Sequence, residues 1–210
     1  MTDFNEIKET LVNCDAEKLT QLVNDALEQK VPAEEILNNG LIAGMDIVGE
    51  KMENEDMFIP EVLMAAQAMS SCVEILKPLL KDDGSTAKGS VVIGTVKGDL
   101  HDIGKNLVAM MIESGGMDIH NLGVDISPEQ FVEEIKKKNA TILCLSALLT
   151  TTMPMMKKTI DAVTESGLRD QVKILVGGAP VTKAFADEIG ADGFAADAGS
   201  AAKAAKTFIK

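Results

Sequence analysis

Up to about Leu80 the chain repeats apolar residues at spacings of three and four, which places them on one face of a helix. A Pro in the first turn and acidic residues near the positive end of the helix dipole support a helix start after Val31. Short connections between such helices are typical of an all-α bundle. The predicted helices are Phe4–Val12, Ala16–Leu27, a segment that begins at Val31, Leu41–Met52 and Glu61–Leu80.

Beyond the polar stretch Lys81–Gly89, which predicts a linker, short β-rich runs alternate with amphipathic helical stretches. Such an alternation predicts a parallel sheet with helices on both faces. The predicted strands are Ser90–Val96, Asp118–Gly123, Thr141–Leu145, Lys173–Val176 and Gly193–Ala196. The predicted helices that follow them are Ile103–Glu113, Pro128–Lys138, Met155–Glu165, Thr182–Glu188 and Ala201–Ile209.

These patterns predict two domains. Residues 1–87 are expected to form an N-terminal all-α helical bundle, and residues 88–210 a C-terminal α/β flavodoxin-like (Rossmann-like) domain with a five-stranded parallel sheet. In such a sheet, ligands bind beyond the carboxyl ends of the strands, near the point where the strand order reverses. The functional residues are therefore expected in the loops that follow the strands.

The charge divides at the same place. Residues 1–87 hold 18 acidic and 6 basic side chains, whereas residues 88–210 hold 15 and 14. An acidic front half repels a phosphate backbone, and the chain has no Trp or Tyr to stack on bases, so we expect no nucleic-acid partner. The sequence shows neither a signal peptide nor an apolar run near the roughly 20 residues of a membrane span. Three separated cysteines argue against a disulfide framework, and we expect a cytoplasmic protein without a membrane partner.

The segment Gly98–Asn106, GDLHDIGKN, joins the first predicted strand to the next helix, where a bound group would be presented. Asp99 and His101 are two residues apart, so in extended backbone both side chains face the same side. A carboxylate beside an imidazole fixes its tautomer and directs the other ring nitrogen toward a metal. The glycines allow a tight turn and the close approach of a bulky ligand.

One His–Asp pair makes a poor zinc site, because zinc takes three or four protein ligands. A single histidine ligand suits a metal that arrives inside a macrocycle, of which haem is one example. The alternative is a phosphate-type turn with an incidental histidine, although the glycine pattern matches neither GxGxxG nor a P-loop. His120, the other histidine, is expected to be a strand residue without a special role.

Three motifs, each at a predicted strand end, resemble the signature of cobalamin-binding domains: Asp99-x-His101-x-x-Gly104, Ser146-x-Leu148 and Gly177-Gly178. The resemblance implies "base-off/His-on" binding, in which His101 replaces dimethylbenzimidazole as the lower axial ligand of cobalt. The nucleotide tail then enters a slot between the sheet and its helices. The cofactor-binding residues it implies are Gly98, Asp99, Leu100, His101, Asp102, Ile103, Gly104, Ser146, Leu148, Thr150, Thr152, Gly177, Gly178 and Ala198.

Within this resemblance Thr152 takes the place of a serine that extends the His–Asp pair into a triad. The front half is similar to the helical cap module of cobalamin-dependent methionine synthase and of small corrinoid proteins of methyltransferase systems. That similarity implies that Met52, Ile59 and Val62 cover the upper cobalt face, with an ordinary place in the bundle core as the alternative. Asn38 falls where methionine synthase has a glutamate, so its role is open.

The resemblance implies a corrinoid methyl carrier that is not catalytic alone and acts as a stand-alone shuttle. Its cobalamin would cycle between cob(I)alamin and methylcob(III)alamin, taking a methyl group from a substrate-specific methyltransferase. A second methyltransferase would pass it to tetrahydrofolate or coenzyme M, and a corrinoid-reactivating protein is a further candidate partner. The donor (methanol, a methylamine, betaine or a methoxyaromatic) and the oligomeric state stay open.

Three alternatives are weighed against this function. A cobalamin-dependent sensor or regulator would need a DNA-binding module, which the acidic front half does not offer. The small subunit of an adenosylcobalamin mutase is covered by a barrel subunit, with which a built-in cap would collide. A flavodoxin-like signalling domain without a corrinoid would need the acidic pocket and lysine arrangement of response regulators, which the sequence lacks.

Overall fold

The front part of the chain folds into helices, as its apolar spacing predicts. The computed structural model describes residues 3–79 and 89–209. Asp3 and Asp15 begin the first two helices by accepting backbone N–H groups that have no partner within a helix. The helices of this part are α1 (Phe4–Val12), α2 (Ala16–Glu28), α3 (Ala33–Glu35), α4 (Ala43–Glu53) and α5 (Ile59–Leu76), followed by a 3-10 turn, Lys77–Leu79.

One stretch departs from the predicted pattern. The sequence predicts a helix beginning near Val31 and another over Leu41–Met52, whereas the backbone is helical without interruption from α3 to α4. The segment between them, Ile36–Ile42, is a π-helix, in which hydrogen bonds span five residues instead of four. Its fully buried residues Ile36 and Leu41 are accordingly five positions apart, a spacing that a search for three and four does not detect.

Helix α5 is the one described helix that is long and apolar enough to cross a membrane, with a mean hydropathy of 1.3. Its apolar side chains have another use here, because the helix packs against α2 and α4. Its buried residues are Val62, Ala65, Ala66, Ala68, Met69, Cys72 and Leu76. Packing accounts for only part of the high hydropathy, because Ile59, Leu63 and Met64 of the same helix are exposed.

The chain divides into two compact units: Met1–Thr86 with Ser114–Gly116, and Ala87–Glu113 with Met117–Lys210. The domain boundary predicted between residues 87 and 88 lies outside the described residues, as does almost all of the predicted linker. The division into domains 1–87 and 88–210 therefore stays a prediction.

The second unit is a parallel sheet with its strands in the order β2-β1-β3-β4-β5, which confirms the predicted fold class. This flavodoxin-like order reverses its winding between β1 and β3. The strands are β1 (Ser90–Thr95), β2 (Asp118–Asn121), β3 (Ile142–Ser146), β4 (Lys173–Gly177) and β5 (Gly193–Ala195). The helices are α6 (Ile103–Ser114), α7 (Pro128–Lys138), α8 (Pro154–Glu165), α9 (Lys183–Ile189) and α10 (Ala198–Phe208).

Most predicted bounds in this unit agree with the structure within two residues, but α10 begins three residues earlier than expected. Asp197 accepts the backbone N–H of Ser200, and the Ser200 hydroxyl lies 3.2 Å from the N–H of Asp197, so the pair forms a capping box. Ala198 is therefore the first residue of the helix and not part of the preceding turn, and it is buried.

The core of the α/β unit lies between the central strands and the helices on each face. Phe131, on α7, is fully buried among side chains of β1, β3 and β4. Its ring occupies the space beside Gly94 on β1, where a Cβ atom would come within 2.7 Å of ring atom Cε1 and 2.8 Å of Cζ. The absence of a side chain at position 94 is therefore what allows α7 to pack closely on the sheet.

We expect Gly94→Ala to lower the free energy of unfolding by about 1–3 kcal/mol, because the fully buried ring must shift within a close-packed core. Urea denaturation followed by circular dichroism measures the loss. Gly104→Ala, on α6, is the matched control: a Cβ there meets nothing within 4 Å, and Ala favours a helix over Gly. Equal losses in both variants would contradict the steric explanation.

Candidate functional site

The loops that follow β1 and β3 meet where the winding of the sheet reverses. Asp99, in the first loop, has no exposed surface, and its carboxylate accepts hydrogen bonds from both loops. Oδ1 accepts the backbone N–H of His101 at 3.1 Å and lies 2.7 Å from imidazole Nδ1. Oδ2 accepts the N–H groups of Leu148 and Leu149 at 2.8 and 3.2 Å and the hydroxyl of Thr152 at 2.7 Å. One carboxylate thus joins the two loops.

These hydrogen bonds decide the ionisation of the carboxylate. Burial alone would raise the pKa of Asp99, but the hydrogen bonds from Thr152, His101 and Leu148 together hold this pKa well below its usual range. An ionised carboxylate can only accept, so the proton between the two side chains belongs to Nδ1 of His101. The neutral form of the imidazole is thereby held as the tautomer whose Nε2 carries a free lone pair.

Further contacts fix the backbone that carries this imidazole. Thr95, fully buried at the end of β1, donates its hydroxyl hydrogen bond to the carbonyl of His101 at 2.8 Å. Gly98 has a φ of +83°, a left-handed conformation that glycine adopts without strain. The side chain of His101 is nevertheless 51% exposed, so a rigid loop presents a ring that a ligand can reach.

Apolar side chains flank this ring at the surface. Leu100 and Ile103 are 71% and 78% exposed, and Leu148 and Leu149 on the neighbouring loop are 42% and 41% exposed. Gly104, in the first turn of α6, leaves open space where a Cβ atom would lie. Exposed apolar patches of this kind mark ligand or partner sites. The site therefore fits a large, flat ligand whose metal needs one axial nitrogen, as a corrinoid does.

The Gly177-Gly178 pair ends β4 at the same edge of the sheet. A Cβ atom at Gly177 would lie 2.9 Å from the carbonyl oxygen of Ala195, and one at Gly178 only 1.9 Å from that of Ala147. Gly178 also has a φ of +128°. The close approach of neighbouring backbone therefore requires both glycines, independently of any ligand beside them.

The other predicted contacts of this unit are scattered along the same edge. Ser146 ends β3 half-buried, and Thr150 is exposed in the loop after it. Asp102 is exposed ahead of α6 and accepts a hydrogen bond from the side chain of Asn106 at 3.0 Å. Their contacts with a cofactor stay predictions.

The predicted upper-face residues lie on helices of the first unit. Met52 on α4 is half-buried, and Ile59 at the start of α5 is 47% exposed. Val62 has no exposed surface, so in this conformation it has no face to present to a ligand and fits the bundle-core alternative. Asn38 is exposed in the π-helix and donates a hydrogen bond to the carbonyl of Glu34 at 2.8 Å.

Sequence reasoning assigned no role to Lys105, which is only 3% exposed. Its ammonium group donates to the side-chain oxygens of Asn106 at 2.6 Å and Asn121 at 2.7 Å. Burial lowers the pKa of Lys105, and the nearby charge of Asp102 opposes this effect. The sequence could have indicated this role only by placing the lysine on the inward face of its helix. The apolar pattern around Lys105 does not distinguish that face from the exposed one.

Known proteins resemble this chain along nearly its whole length. One B12 binding domain family matches residues 89–206, and a second B12 binding domain family matches residues 3–77. The dimethylamine corrinoid protein of Methanosarcina barkeri is 42% identical over 207 residues, which cover 98% of this chain and 97% of that protein.

Solved structures are similar as well. A cobalamin-binding protein from Desulfitobacterium hafniense DCB-2 has a TM-score of 0.88 and 30% identity, with all of both chains covered. The methanol:cobalamin methyltransferase complex of Methanosarcina barkeri has a TM-score of 0.82 and 28% identity, with 97% of this chain and 78% of that chain covered.

We expect Asp99→Asn to lower the free energy of unfolding at pH 7 by about 2–4 kcal/mol, because a buried charged acceptor of several hydrogen bonds is lost. The pKa of this carboxyl is depressed in the folded state, so its stabilisation is complete above the unfolded pKa of about 4 and is lost as the pH falls toward the folded value. Urea denaturation should therefore show a gap to the wild type that is constant from about pH 5 to 7 and narrows below about pH 4.

Asp187→Asn is the control for this prediction. Asp187 forms an exposed ion pair with Lys183 one turn away on α9, so its loss should change stability by less than about 1 kcal/mol. A gap between wild type and Asp99→Asn that stayed constant down to pH 3 would contradict the role of the ionised carboxylate.

Proposed function

The chain belongs to the B12-binding family of corrinoid proteins, and we propose that its α/β unit binds cobalamin with His101 as the lower axial ligand of cobalt. The observation that carries this proposal is the chain of short contacts from Thr152 through Asp99 to an exposed imidazole. The predicted family, cobalamin cofactor and methyl-carrier function are confirmed by the matched families and relatives.

The protein is a methyl carrier of a corrinoid-dependent methyltransferase system. Cobalamin bound to this chain would supply a cobalt centre that can take up and release a methyl group. The similarity to a dimethylamine corrinoid protein extends over 98% of this chain. It therefore favours a carrier over the sensor and mutase-subunit alternatives.

His101 would hold the cobalt through Nε2 while Asp99 retains the proton on Nδ1. The N–H groups of Leu148 and Leu149 and the hydroxyl of Thr152 share the negative charge of that carboxylate. These donors lower its basicity, so the imidazole binds as a neutral ligand that keeps its Nδ1 proton. The triad thus sets both the direction and the donor strength of the nitrogen.

The apolar side chains of Leu100, Ile103, Leu148 and Leu149 would lie against the ligand and exclude water from the axial bond. Gly104 would allow the ring system to approach α6. Ser146, Thr150, Gly177, Gly178 and Ala198 are proposed to line the slot for the nucleotide tail. Met52 and Ile59 are proposed to cover the upper face, whereas Val62 would have to move from its buried position to join them.

The carrier acts together with methyltransferases. We further propose two partners in sequence: a substrate-specific methyltransferase that loads the methyl group, and a second one that passes it to tetrahydrofolate or coenzyme M. A corrinoid-reactivating protein is a third proposed partner. We propose the cytoplasm as the location, which the three free thiols of the structure support.

We propose a methylated amine as the methyl donor. The support is the difference in similarity: 42% identity to a dimethylamine corrinoid protein over its nearly complete length, against 28% identity to the chain matched in the methanol complex. Substrate chemistry takes place on the loading methyltransferase, so the carrier surface must fit that partner. Greater likeness to an amine-system carrier therefore favours an amine-specific partner.

Wild-type protein reconstituted with excess cobalamin under reducing conditions should remain coloured after desalting. The electron paramagnetic resonance spectrum of its cobalt(II) form should show splitting by one axial nitrogen. His101→Ala should lose the splitting by a histidine nitrogen and bind cobalamin on the order of a hundredfold more weakly, because a side chain that binds the metal directly matters at least as much as the groups that orient it.

His120→Ala is the matched control, since His120 lies in β2 with its Nε2 near Ser90 and Asp118. Its spectrum and affinity should equal those of the wild type. Nitrogen splitting in the wild type that does not change when its histidines carry heavy nitrogen would disprove the ligation, because the nitrogen would then belong to the cofactor's own dimethylbenzimidazole. Colourless wild-type protein would disprove cobalamin binding altogether.

The donor proposal is tested with purified loading methyltransferases from Methanosarcina barkeri, one specific for dimethylamine and one for methanol. We expect the dimethylamine enzyme to methylate the carrier at least about tenfold faster, a difference that corresponds to ~1.4 kcal/mol of recognition. Absorbance of the bound corrinoid follows the reaction. Equal or faster methylation by the methanol enzyme would refute the amine donor while leaving the carrier function in place.

A further inference from the structure

Asp125 contacts three consecutive residues of the loop that leads to His101. Its Oδ1 accepts the backbone N–H of Gly98 at 2.8 Å, and its Oδ2 lies 3.3 Å from Nζ of Lys97. Its own N–H donates to the carbonyl of Asp99 at 3.0 Å. These contacts hold the turn from the side of β2, opposite to the contacts that Asp99 receives from the loop after β3.

The position of Asp125 is itself fixed by the sheet. Residues beside it extend the pairing with β1: the N–H of Thr95 donates to the carbonyl of Gly123, and Val96 forms a bridge with Ile126. Asp125 has a φ of 57°, a left-handed conformation that Asp and Asn tolerate better than other residues with a side chain. A short polar side chain in this conformation reaches back to the neighbouring turn.

The carboxylate has a role that a neutral side chain would fill only in part. One oxygen accepts the hydrogen bond from the N–H of Gly98, and the other pairs with the ammonium of Lys97. These contacts lower the pKa of Asp125. Lys97 and Asp125 are both substantially exposed, so the ion pair itself contributes little. The hydrogen bonds with the N–H of Gly98 and the carbonyl of Asp99 are therefore the contacts that matter.

We propose that Asp125 is a positioning residue for cobalt ligation: it fixes the turn before His101 and thereby sets how firmly the imidazole holds the metal. This inference rests on the proposed function. Asp125 touches neither the imidazole nor the carboxylate of Asp99, so it acts through the backbone of residues 98 and 99. The loop is thus clamped twice, by Asp125 on one side and by the contacts of the Asp99 carboxylate on the other.

Asp125→Gly is the test variant, because glycine adopts the left-handed conformation without strain and only the side-chain contacts are lost. In the full chain loaded with cobalamin, we expect the equilibrium between histidine-bound and histidine-free cobalt to shift about tenfold toward the free form. The fraction with axial nitrogen splitting in the cobalt(II) spectrum measures this shift. Cobalamin retention by equilibrium dialysis should fall by a similar factor.

Three further variants separate positioning from general stability. Asn139→Gly makes the matching change at another left-handed residue, at the end of α7, and should leave the spectrum unchanged. Asp125→Asn keeps an oxygen for the N–H of Gly98 and should restore most of the histidine-bound fraction. Lys97→Met removes only the ion pair and should alter that fraction less than twofold.

The proposal is overturned if Asp125→Gly keeps the wild-type histidine-bound fraction, or if Asn139→Gly loses as much of it. It is also overturned if Asp125→Asn gives no recovery, although thermal unfolding shows the variant to be folded. These outcomes leave the carrier function intact, because wild type and His101→Ala still differ. Wild-type protein that binds no cobalamin would overturn both.

Discussion

The carboxylate of Asp99 is the contact on which the rest of the site depends. It is fully buried, and such a charge is tolerated only when hydrogen bonds replace its lost hydration. Donors from the loops after β1 and β3 supply them, so a single anion joins the two loops at the point where the sheet changes direction. The same bonds keep it ionised and thereby determine which nitrogen of His101 is free. The charge of Asp99, the positions of the two loops and the direction of the free nitrogen of His101 thus all follow from one set of hydrogen bonds.

The glycines of the site serve two different purposes. Gly178 is required by the protein itself, since any side chain would collide with the carbonyl of Ala147. Gly104 is surrounded by open space, and nothing in the described fold forbids a larger residue there. Gly178 therefore allows the backbone just after β3 and just after β4 to approach closely, whereas Gly104 leaves room at the start of α6. A fixed edge and an open platform are both needed where a rigid macrocycle is to be held.

Much of this could be predicted from the sequence, because its signals are local. Alternating patterns located the strands and helices, and the spacing of Asp99 and His101 indicated a pair that acts on one ligand. Thr152 lies 53 residues from Asp99, and only the family resemblance linked them. Asp125 was missed because its role depends on a left-handed backbone and on contacts with a neighbouring strand, and residue spacing reports neither. Val62 was instead given a ligand-facing role, although it is buried. An apolar residue on a helix follows the same sequence pattern whether it faces the core or a ligand.

The π-helix of Ile36–Ile42 constrains how the front half of the chain can vary. Its turns hold one more residue than the α-turns on either side, so the segment sets the rotational phase of everything after it. If the same residues formed a regular α-helix instead, α4 would turn by ~100° about its axis. Met45 and Val48, now buried, would leave the interior, and polar residues would enter it. The wide turns therefore absorb one additional residue, and loss of one residue in this segment is the change in length that would leave the buried face of α4 where it is.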